Sequence, residues 1–272
     1  MIDRTTIPAR RGTLRMPMRS LLLILSGALV GCTPVFKPDS FASNTELYAA
    51  ALRERVAGRE DNAIAAFERL QIQLAPSDSL MVRTHYQLGE LHVEKKAWLL
   101  AGQAFLKIPE NYPDDPLADD ALLAAGNAYA ELWRRPDLDP KYGVEALAIY
   151  NLLIRSYPSS NKLTEAGAGA AKMREWLAQK DVGIGDYYFR RRAYDSALLY
   201  FNAAVTNFAG TDGARDALVS MVKTYRALEA QHKVDYSPDI AEACTALKTA
   251  YAASPVVATT CPDRRVPADT AK

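Results

Sequence analysis

Two histidines and two acidic pairs are the residues of this 272-residue chain that would first suggest a metal or an acid–base site. His85 and His92 are seven positions apart. On a helix this spacing is about 10 Å along the axis, which is too far for both to bind one metal ion. Asp114-Asp115 and Asp119-Asp120 flank the start of a helix, where the helix dipole favours carboxylates. We therefore predict no metal site, and we expect His92, at the aromatic position of a repeating pattern, to have a packing role.

Two glycine pairs could in principle cradle a phosphate. Gly167-Ala168-Gly169 and Gly183-Ile184-Gly185 lie within helical periodicity, however, and no strand precedes either of them. The chain contains no HExxH, GxSxG or P-loop motif. The basic run Arg190–Arg192 falls between two helices, where a solvated turn is the simplest interpretation. The sequence thus predicts a protein that is not an enzyme and has no catalytic residues and no cofactor.

Cys32 follows a leader that is typical of exported proteins. Five arginines precede the apolar run Leu21–Val30, which is too short for an ordinary membrane span and typical of a signal peptide. The run ends in Leu29-Val30-Gly31-Cys32, which is similar to a bacterial lipobox. We predict that residues 1–31 are a lipoprotein signal peptide that is removed, and that Cys32 is the lipidated residue. An ordinary signal peptide followed by a chance cysteine is the alternative.

Removal of the leader changes the charge of the protein. It takes away five arginines and Asp3, so the formal charge changes from +1 for the full chain to −3. The charge of the mature protein is the same if translation starts at Met16 or Met18 instead of Met1. A nearly neutral protein lacks the concentrated basic surface that nucleic acid requires. The acyl chains of a bacterial lipoprotein are sufficient for stable anchoring, whereas a single chain is not. We predict membrane attachment through the N-terminal lipid and no binding of nucleic acid.

Two further cysteines, Cys244 and Cys261, could form a disulfide. In an oxidising envelope compartment two remaining cysteines often pair. Closing so short a loop would stabilise the protein by about 3 kcal/mol. Two separate thiols are an equally good interpretation, because the sequence does not define their geometry.

The apolar pattern is helical over almost the whole mature chain. It extends from Asn44 to Ser254, and no segment alternates at period two, so we predict an all-α fold. Residues 32–43 contain two prolines and no period, and are predicted to be a flexible tether between lipid and body. Residues 256–272 also lack a period and are predicted to be a mobile tail unless Cys261 anchors them.

The segment Gly185–Phe208 is one repeating unit, and its apolar and small residues mark two helices joined by a tight turn. Four other segments show a similar order of small, aromatic and alanine positions. This pattern resembles the tetratricopeptide repeat (TPR), a hairpin that buries its apolar face only by stacking on neighbours. We predict a right-handed superhelical stack of about five TPR-like helix hairpins. The residues assigned to packing are Gly89, Ala101, Phe105, Gly126, Tyr129, Ala146, Tyr150, Gly185, Tyr188, Ala197 and Phe201.

The junction between the third and fourth repeats is longer than the others. The distance from the end of one repeat to the small residue of the next is 13 positions at three junctions, but 27 before Gly185. The excess of 14 residues is about four helical turns, so the buried face keeps its register. We predict one long helix from about Lys162 to Arg191 that links repeats 3 and 4. It would separate an N-terminal lobe, residues 44–160, from a C-terminal lobe, residues 161–255.

The first helices of the pairs would line the concave face of such a stack. They carry polar and aromatic side chains that packing does not require, and these are Tyr48, Arg55, Tyr86, Glu90, Asn127 and Glu131. A groove with mixed aromatic and polar groups suits an extended peptide or a partner helix. The alternative is that these are ordinary exposed residues of helices.

The lipobox, the repeats and the long helix together resemble the BamD family of outer-membrane assembly lipoproteins, also called ComL or YfiO. The resemblance rests on Tyr112-Pro113 and Tyr157-Pro158, on the loop DLDPKY before EALAIYNLLIRSYP, and above all on the segment WLAQKDVGIGDYYFRRRAY. Phe208-Ala209 departs from the family, which usually has Tyr-Pro at the end of the fourth repeat. Thr33, after the lipid cysteine, fits outer-membrane sorting.

This resemblance implies a non-enzymatic scaffold of the β-barrel assembly machinery, anchored in the outer membrane by lipid and facing the periplasm. The implied partners of the C-terminal lobe are the POTRA domains of the barrel subunit and sister lipoproteins. The implied ligands of the N-terminal lobe are C-terminal segments of unfolded outer-membrane proteins. Two other hypotheses are a TPR adaptor lipoprotein of another envelope machine, such as a pilotin or a peptidoglycan-enzyme organiser, and a soluble Tol-associated periplasmic repeat protein.

Overall fold

Helices account for almost all of residues 36–262, the part of the chain that this computed structural model describes. Within that range there is a short 3₁₀ turn at Pro38–Ser40, followed by eleven α-helices and no strand. The helices are α1 (Asn44–Val56), α2 (Glu60–Gln73), α3 (Ser79–Glu94), α4 (Trp98–Asn111), α5 (Ala118–Leu132), α6 (Lys141–Ser156), α7 (Leu163–Arg190), α8 (Tyr194–Asn207), α9 (Asp212–His232), α10 (Ser237–Ala250) and α11 (Val256–Thr260). The predicted all-α fold is confirmed.

Ten of these helices form five consecutive hairpins, from α1 with α2 to α9 with α10. Each hairpin packs on the next, and from Pro38 onward the described chain forms one compact unit. Such an arrangement buries apolar faces that a single hairpin would leave in water. The predicted stack of five TPR-like hairpins is therefore confirmed.

In three hairpins a glycine of the first helix faces an aromatic ring of the second. The pairs are Gly89 with Phe105, Gly126 with Tyr150, and Gly185 with Phe201. A Cβ atom on any of these glycines would lie only 2.4 to 2.6 Å from the ring. Glycine is needed because any side chain would push the two helices apart. Next to these contacts, Ala101, Ala146 and Ala197 are fully buried in the second helices.

The two remaining residues assigned to packing contact other rings or backbones. The ring of Tyr129 lies against Gly102 of α4, where a Cβ would be 2.7 Å away, so Tyr129 packs between successive hairpins. The ring of Tyr188 stacks on that of Tyr200 at 5.6 Å between centroids. Aromatic contacts of this kind add about 0.5–1.5 kcal/mol beyond the burial of area.

Helix α7 has 28 residues, and its ends lie within one residue of those predicted. Its N-terminal half contributes Met173 and Leu177 to the largest core cluster, which also includes residues of α5 and α6. A Cβ on Gly169 would lie 2.5 Å from the Tyr150 ring, so this glycine allows α7 to cross α6 closely, whereas Gly167 faces open space. Because α7 contacts α5 and α6 as well as α8 and α9, the division into two lobes stays a prediction.

Regular structure begins earlier and ends later than the sequence suggested. The turn at Pro38–Ser40 packs on α2, and Asp39 forms a 2.7 Å ion pair with Arg69. Helix α11 follows Pro255 in the segment expected to be a tail. Segments of three to five residues are too short to show a periodicity. The predicted signal peptide and Cys32 lie outside the described residues, as do residues 263–272.

Candidate functional site: a cleft across the first helices

A cleft of ≈ 730 Å³ crosses the first helices of hairpins 1 to 4 and reaches residues of α4 and α6. Its polar lining consists of Arg55, Glu90, Glu94, Asn127, Glu131, Glu165 and Lys172. Its larger apolar and aromatic lining residues are Tyr86, Val93, Trp98, Phe105, Tyr150 and Met173. A long depression with mixed polar and apolar walls suits a peptide segment.

The structure brings five of the six predicted groove residues into this cleft. They are Arg55, Tyr86, Glu90, Asn127 and Glu131. Tyr48 is not part of the lining. Its ring meets that of Phe67 edge-on at 5.5 Å between centroids, so it packs within the first hairpin.

Other lining residues were missed by the sequence reasoning. Glu94 is one helical turn beyond Glu90 on the same helix face, and this spacing could have identified it. Glu165 and Lys172 lie two turns apart on the extended part of α7. That part has no counterpart in an ordinary repeat, so the repeat pattern carried no information about it.

Arg55 links the first hairpin to the second. Its Nη1 atom donates hydrogen bonds of 2.6 Å to Glu90 Oε2 and to Gln87 Oε1, and its Nη2 atom donates to Glu94. Partial burial lowers the pKa of Arg55, but the hydrogen bonds and charges of Glu90 and Glu94 outweigh this and raise it overall. The guanidinium is therefore a charged clamp between α1 and α3.

A chain of hydrogen bonds runs across the cleft at Tyr150. The Tyr150 hydroxyl donates to Asn127 Oδ1 at 2.7 Å, and Asn127 Nδ2 is 3.4 Å from Glu165 Oε1. Burial, followed by the negative charges of Glu165 and Glu131, raises the pKa of Tyr150 to about 12. The hydroxyl therefore stays protonated at physiological pH and acts as a donor.

Tyr86 and Phe105 form an aromatic wall of the cleft. Their rings meet edge-on at 5.4 Å between centroids. Burial is the main cause of the raised pKa of Tyr86, and the charges of Glu90 and Asp120 add to it. The wall is thus apolar, with carboxylates at its border.

A second depression of ≈ 660 Å³ lies between the α5–α6 loop and the C-terminal half of α7. Tyr187 lies in its lining and is 44% exposed. The guanidinium of Arg191 lies 3.7 Å from the centroid of the Tyr187 ring, which is a cation–π contact. Lys180 holds the loop to the helix through a 2.9 Å hydrogen bond to the Asp137 carbonyl. Exposed tyrosine and arginine together are typical of protein interfaces.

The sulfurs of Cys244 and Cys261 form a disulfide, with 5.6 Å between their Cα atoms. The bond connects α10 to the residue that follows α11. Arg226 of α9 adds a 2.9 Å hydrogen bond to the carbonyl of Thr260. These contacts fasten α11 to the last hairpin.

Tyrosines at the ends of second helices link successive hairpins, and the sequence reasoning did not assign them this role. Their hydroxyls donate to backbone carbonyls as follows: Tyr112 to Pro76 at 2.7 Å, Tyr157 to Pro113 at 2.8 Å, and Tyr251 to Thr211 at 2.9 Å. Phe208 occupies the equivalent position at the end of α8 and has no hydroxyl. The Tyr-Pro pairs at Tyr112-Pro113 and Tyr157-Pro158 were the available signal for two of the three.

His85 has a structural contact within its surroundings on α2 and α3. His85 Nδ1 lies 2.8 Å from Gln71 Nε2, and burial lowers the pKa of both His85 and His92. Among residues 36–262 no group of histidine, cysteine, aspartate and glutamate residues is arranged to hold a metal ion. No helix in that range has the length and apolar character needed to cross a membrane.

The chain matches one protein family and is similar in sequence or fold to several known proteins. A family model described as YfiO, outer membrane lipoprotein, matches residues 41–240. The outer membrane protein assembly factor BamD of Neisseria meningitidis serogroup B is 24% identical over 240 residues, which cover 78% of this chain and 86% of that protein. The protein of that name from Vibrio cholerae serotype O1 is 28% identical over 94 residues, 35% of this chain and 39% of that one. A solved TPR repeats protein from Bacteroides fragilis is 18% identical with a TM-score of 0.43, covering 82% of this chain and 94% of that one.

Proposed function

Because the chain belongs to the YfiO family of outer membrane lipoproteins, we propose that it is a non-enzymatic scaffold subunit of the machinery that assembles β-barrel proteins in the outer membrane. The observation that carries the proposal is the family match, which extends from the start of the first hairpin into α10. The names of the relatives as outer membrane protein assembly factors support it. The protein is anchored by lipid at Cys32 and faces the periplasm.

The cleft is the proposed binding site for substrate. It is open to solvent along four helices, and its aromatic wall and carboxylates can contact an extended, unfolded segment. Unfolded outer-membrane proteins expose such segments, and those near the C-terminus are the proposed ligands. The scaffold holds the segment without chemical change.

The second depression and the adjacent Tyr187–Arg191 pair form the proposed docking surface for a partner subunit. The surface lies on the C-terminal half of α7, at a distance along the chain from the cleft residues of α1 and α3. The barrel subunit, through its POTRA domains, and sister lipoproteins are the proposed partners. Separate surfaces would allow substrate and partner to be bound at once.

Co-purification from detergent-solubilised membranes tests the proposed function. We expect the full-length chain to bring down the barrel subunit and sister lipoproteins, and we expect depletion of the chain to lower the amount of β-barrel proteins in the outer membrane. Recovery of a secretin or of peptidoglycan enzymes without the barrel subunit would identify an adaptor of another envelope machine instead.

Substitutions in the second depression test its role in docking. We expect Tyr187→Ala combined with Arg191→Ala to lose the barrel subunit or a sister lipoprotein from the co-purified material. Arg192→Ala is the matched control, because it removes a neighbouring positive charge at the turn after α7. Equal recovery of every partner with both variants would exclude this surface.

Labelling with palmitate tests the anchor. We expect wild type to incorporate the label and Cys32→Ser to lose it and to leave the membrane fraction. A Cys32→Ser variant that stays with the membrane in the absence of its partners would contradict the proposed lipid anchor.

A further inference from the structure

The lining of the cleft carries an excess of negative charge. Its charged residues are four carboxylates, Glu90, Glu94, Glu131 and Glu165, and two cations, Arg55 and Lys172. With all six ionised, the carboxylates outnumber the cations by two. Complementary charge on the ligand increases both specificity and association rate. A cationic ligand is therefore favoured over an anionic one.

The cation deepest in the cleft is not available to a ligand carboxylate. The side chain of Arg55 is only 23% exposed, and its guanidinium donates to Glu90, Glu94 and Gln87. An incoming carboxylate would have to displace one that the protein already supplies, and little free energy would be gained. Lys172 is exposed and its ammonium group lies 4.8 Å from the centroid of the Trp176 ring. It is the one cation of the lining that could still meet a ligand carboxylate.

Two carboxylates remain for a ligand. Glu131 and Glu165 are exposed, and neither forms an ion pair with any residue in the range 36–262. Both residues line the same cleft, Glu131 on α5 and Glu165 on α7. Asn127 connects them, because its Nδ2 atom is 3.4 Å from Glu165 Oε1 and Glu131 lies one helical turn after it on α5.

The aromatic wall sets the second property of the ligand. Tyr86 and Phe105, with Trp98 at the start of α4, offer aromatic surface within the same cleft. An aromatic or large aliphatic side chain would be removed from water there, which is worth about 1.5–3 kcal/mol for a fully buried side chain. The ligand thus combines an apolar side chain with a neighbouring positive charge.

Resting on the proposed function, we infer that the cleft binds an unfolded segment through a lysine or arginine held by Glu131 and Glu165, next to an aromatic or large aliphatic residue held by the Tyr86–Phe105 wall. The ligand's own C-terminal carboxylate is not required. A segment near the end of an outer-membrane protein is selected by its side chains, and an internal segment of the same composition binds equally well.

Fluorescence anisotropy with the full chain in detergent tests this inference. The probe is a short fluorescein-labelled peptide in which lysine alternates with tyrosine and phenylalanine, prepared with an amidated and with a free C-terminus. We expect both forms to bind with similar Kd and a matching peptide with glutamate in place of lysine to bind at least about tenfold more weakly. Added salt should weaken binding of the lysine peptides.

Glu131→Gln combined with Glu165→Gln tests the site. We expect this variant to bind the lysine peptide about tenfold more weakly or worse. Glu68→Gln combined with Glu242→Gln is the control, since it removes the same charge from exposed positions on α2 and α10 outside the cleft. Both variants should keep the melting temperature of wild type.

Three outcomes would overturn the inference. They are a strict requirement for the free C-terminus, tighter binding of the glutamate peptide, and equal binding by the two double variants. Failure of the proposed function has a different signature, because wild type would then not co-purify with the barrel subunit, whatever the charge preference of the cleft. The Glu131→Gln, Glu165→Gln variant should still co-purify with it.

Discussion

At the scale of single residues, two glycines of α7 can be compared directly, because they lie in one helix and differ in what surrounds them. A Cβ on Gly185 would lie 2.4 Å from the Phe201 ring, whereas a Cβ on Gly183 would meet no atom within 4 Å. Gly185→Ala should lower the free energy of unfolding by about 1–3 kcal/mol because it overpacks the contact with α8. Gly183→Ala should raise it by about 0.5–1 kcal/mol, because alanine favours the helix.

Urea unfolding followed by circular dichroism measures both changes. The two substitutions are the same chemically and lie two positions apart in one helix, so helix propensity cancels from the comparison. Destabilisation of similar size in both variants would mean that the close contact with Phe201 is not the reason that position 185 requires glycine.

The half-buried histidines His85 and His92 predict a dependence of stability on pH. Burial lowers the pKa of His85, and the charge of Lys107 adds to this, so the folded state favours the neutral ring. In the unfolded chain a histidine has a pKa of about 6.5. Below that pH the unfolded chain therefore binds more protons than the folded chain. The contribution of the neutral histidines to the stability of the folded state is therefore complete above about pH 6.5. It is lost as the pH falls through the pKa of the histidines in the folded state.

Thermal unfolding between pH 7.5 and 5.5 checks this dependence. We expect wild type to lose stability as the pH falls, and His85→Gln combined with His92→Gln to lose less over the same interval. An NMR titration of the ring protons should give a pKa for His85 below that of a model peptide. A steeper loss in the variant than in wild type would contradict the sign.

At the scale of helices and hairpins, the tyrosine links predict how successive repeats are held together. Tyr157→Phe removes the hydroxyl that donates to the Pro113 carbonyl. We expect a loss of about 1 kcal/mol, the usual net value of one hydrogen bond, measured by urea unfolding. Tyr187→Phe is the matched control, because its ring is half exposed and its role is the contact with Arg191. Equal losses in the two variants would exclude a linking role for Tyr157.

The same scale shows what the sequence could predict and why. The periodicity of buried positions defined the hairpins, and the spacing before Gly185 defined α7 to within one residue at each end. The Arg55 clamp was not predictable, since its partners Glu90 and Glu94 lie 35 and 39 positions away and depend on how two hairpins dock. Tyr48 was assigned to the groove because the repeat pattern does not show that its ring packs on Phe67 of the same hairpin.

At the scale of the whole molecule, the apolar core is not distributed evenly. The largest cluster extends from Val82 to Leu177, whereas the last hairpins contain two smaller clusters. In a stack, each hairpin is stabilised mainly by its neighbours, so regions with a small core open more easily. The disulfide between Cys244 and Cys261 lies at the end where the core is smaller.

We therefore expect loss of the disulfide to act locally. In Cys244→Ser combined with Cys261→Ser, amide hydrogen exchange should become faster in α9, α10 and α11, because α11 is no longer fastened to the last hairpin. Exchange in α3 to α6 should not change, since that cluster has no contact with the bond. In the loop-entropy description the bond contributes about 3 kcal/mol to the stability of this end of the stack. Faster exchange of similar size in all helices would show that the stack unfolds as a single cooperative unit, and the C-terminal end would then have no separate stability for the disulfide to control.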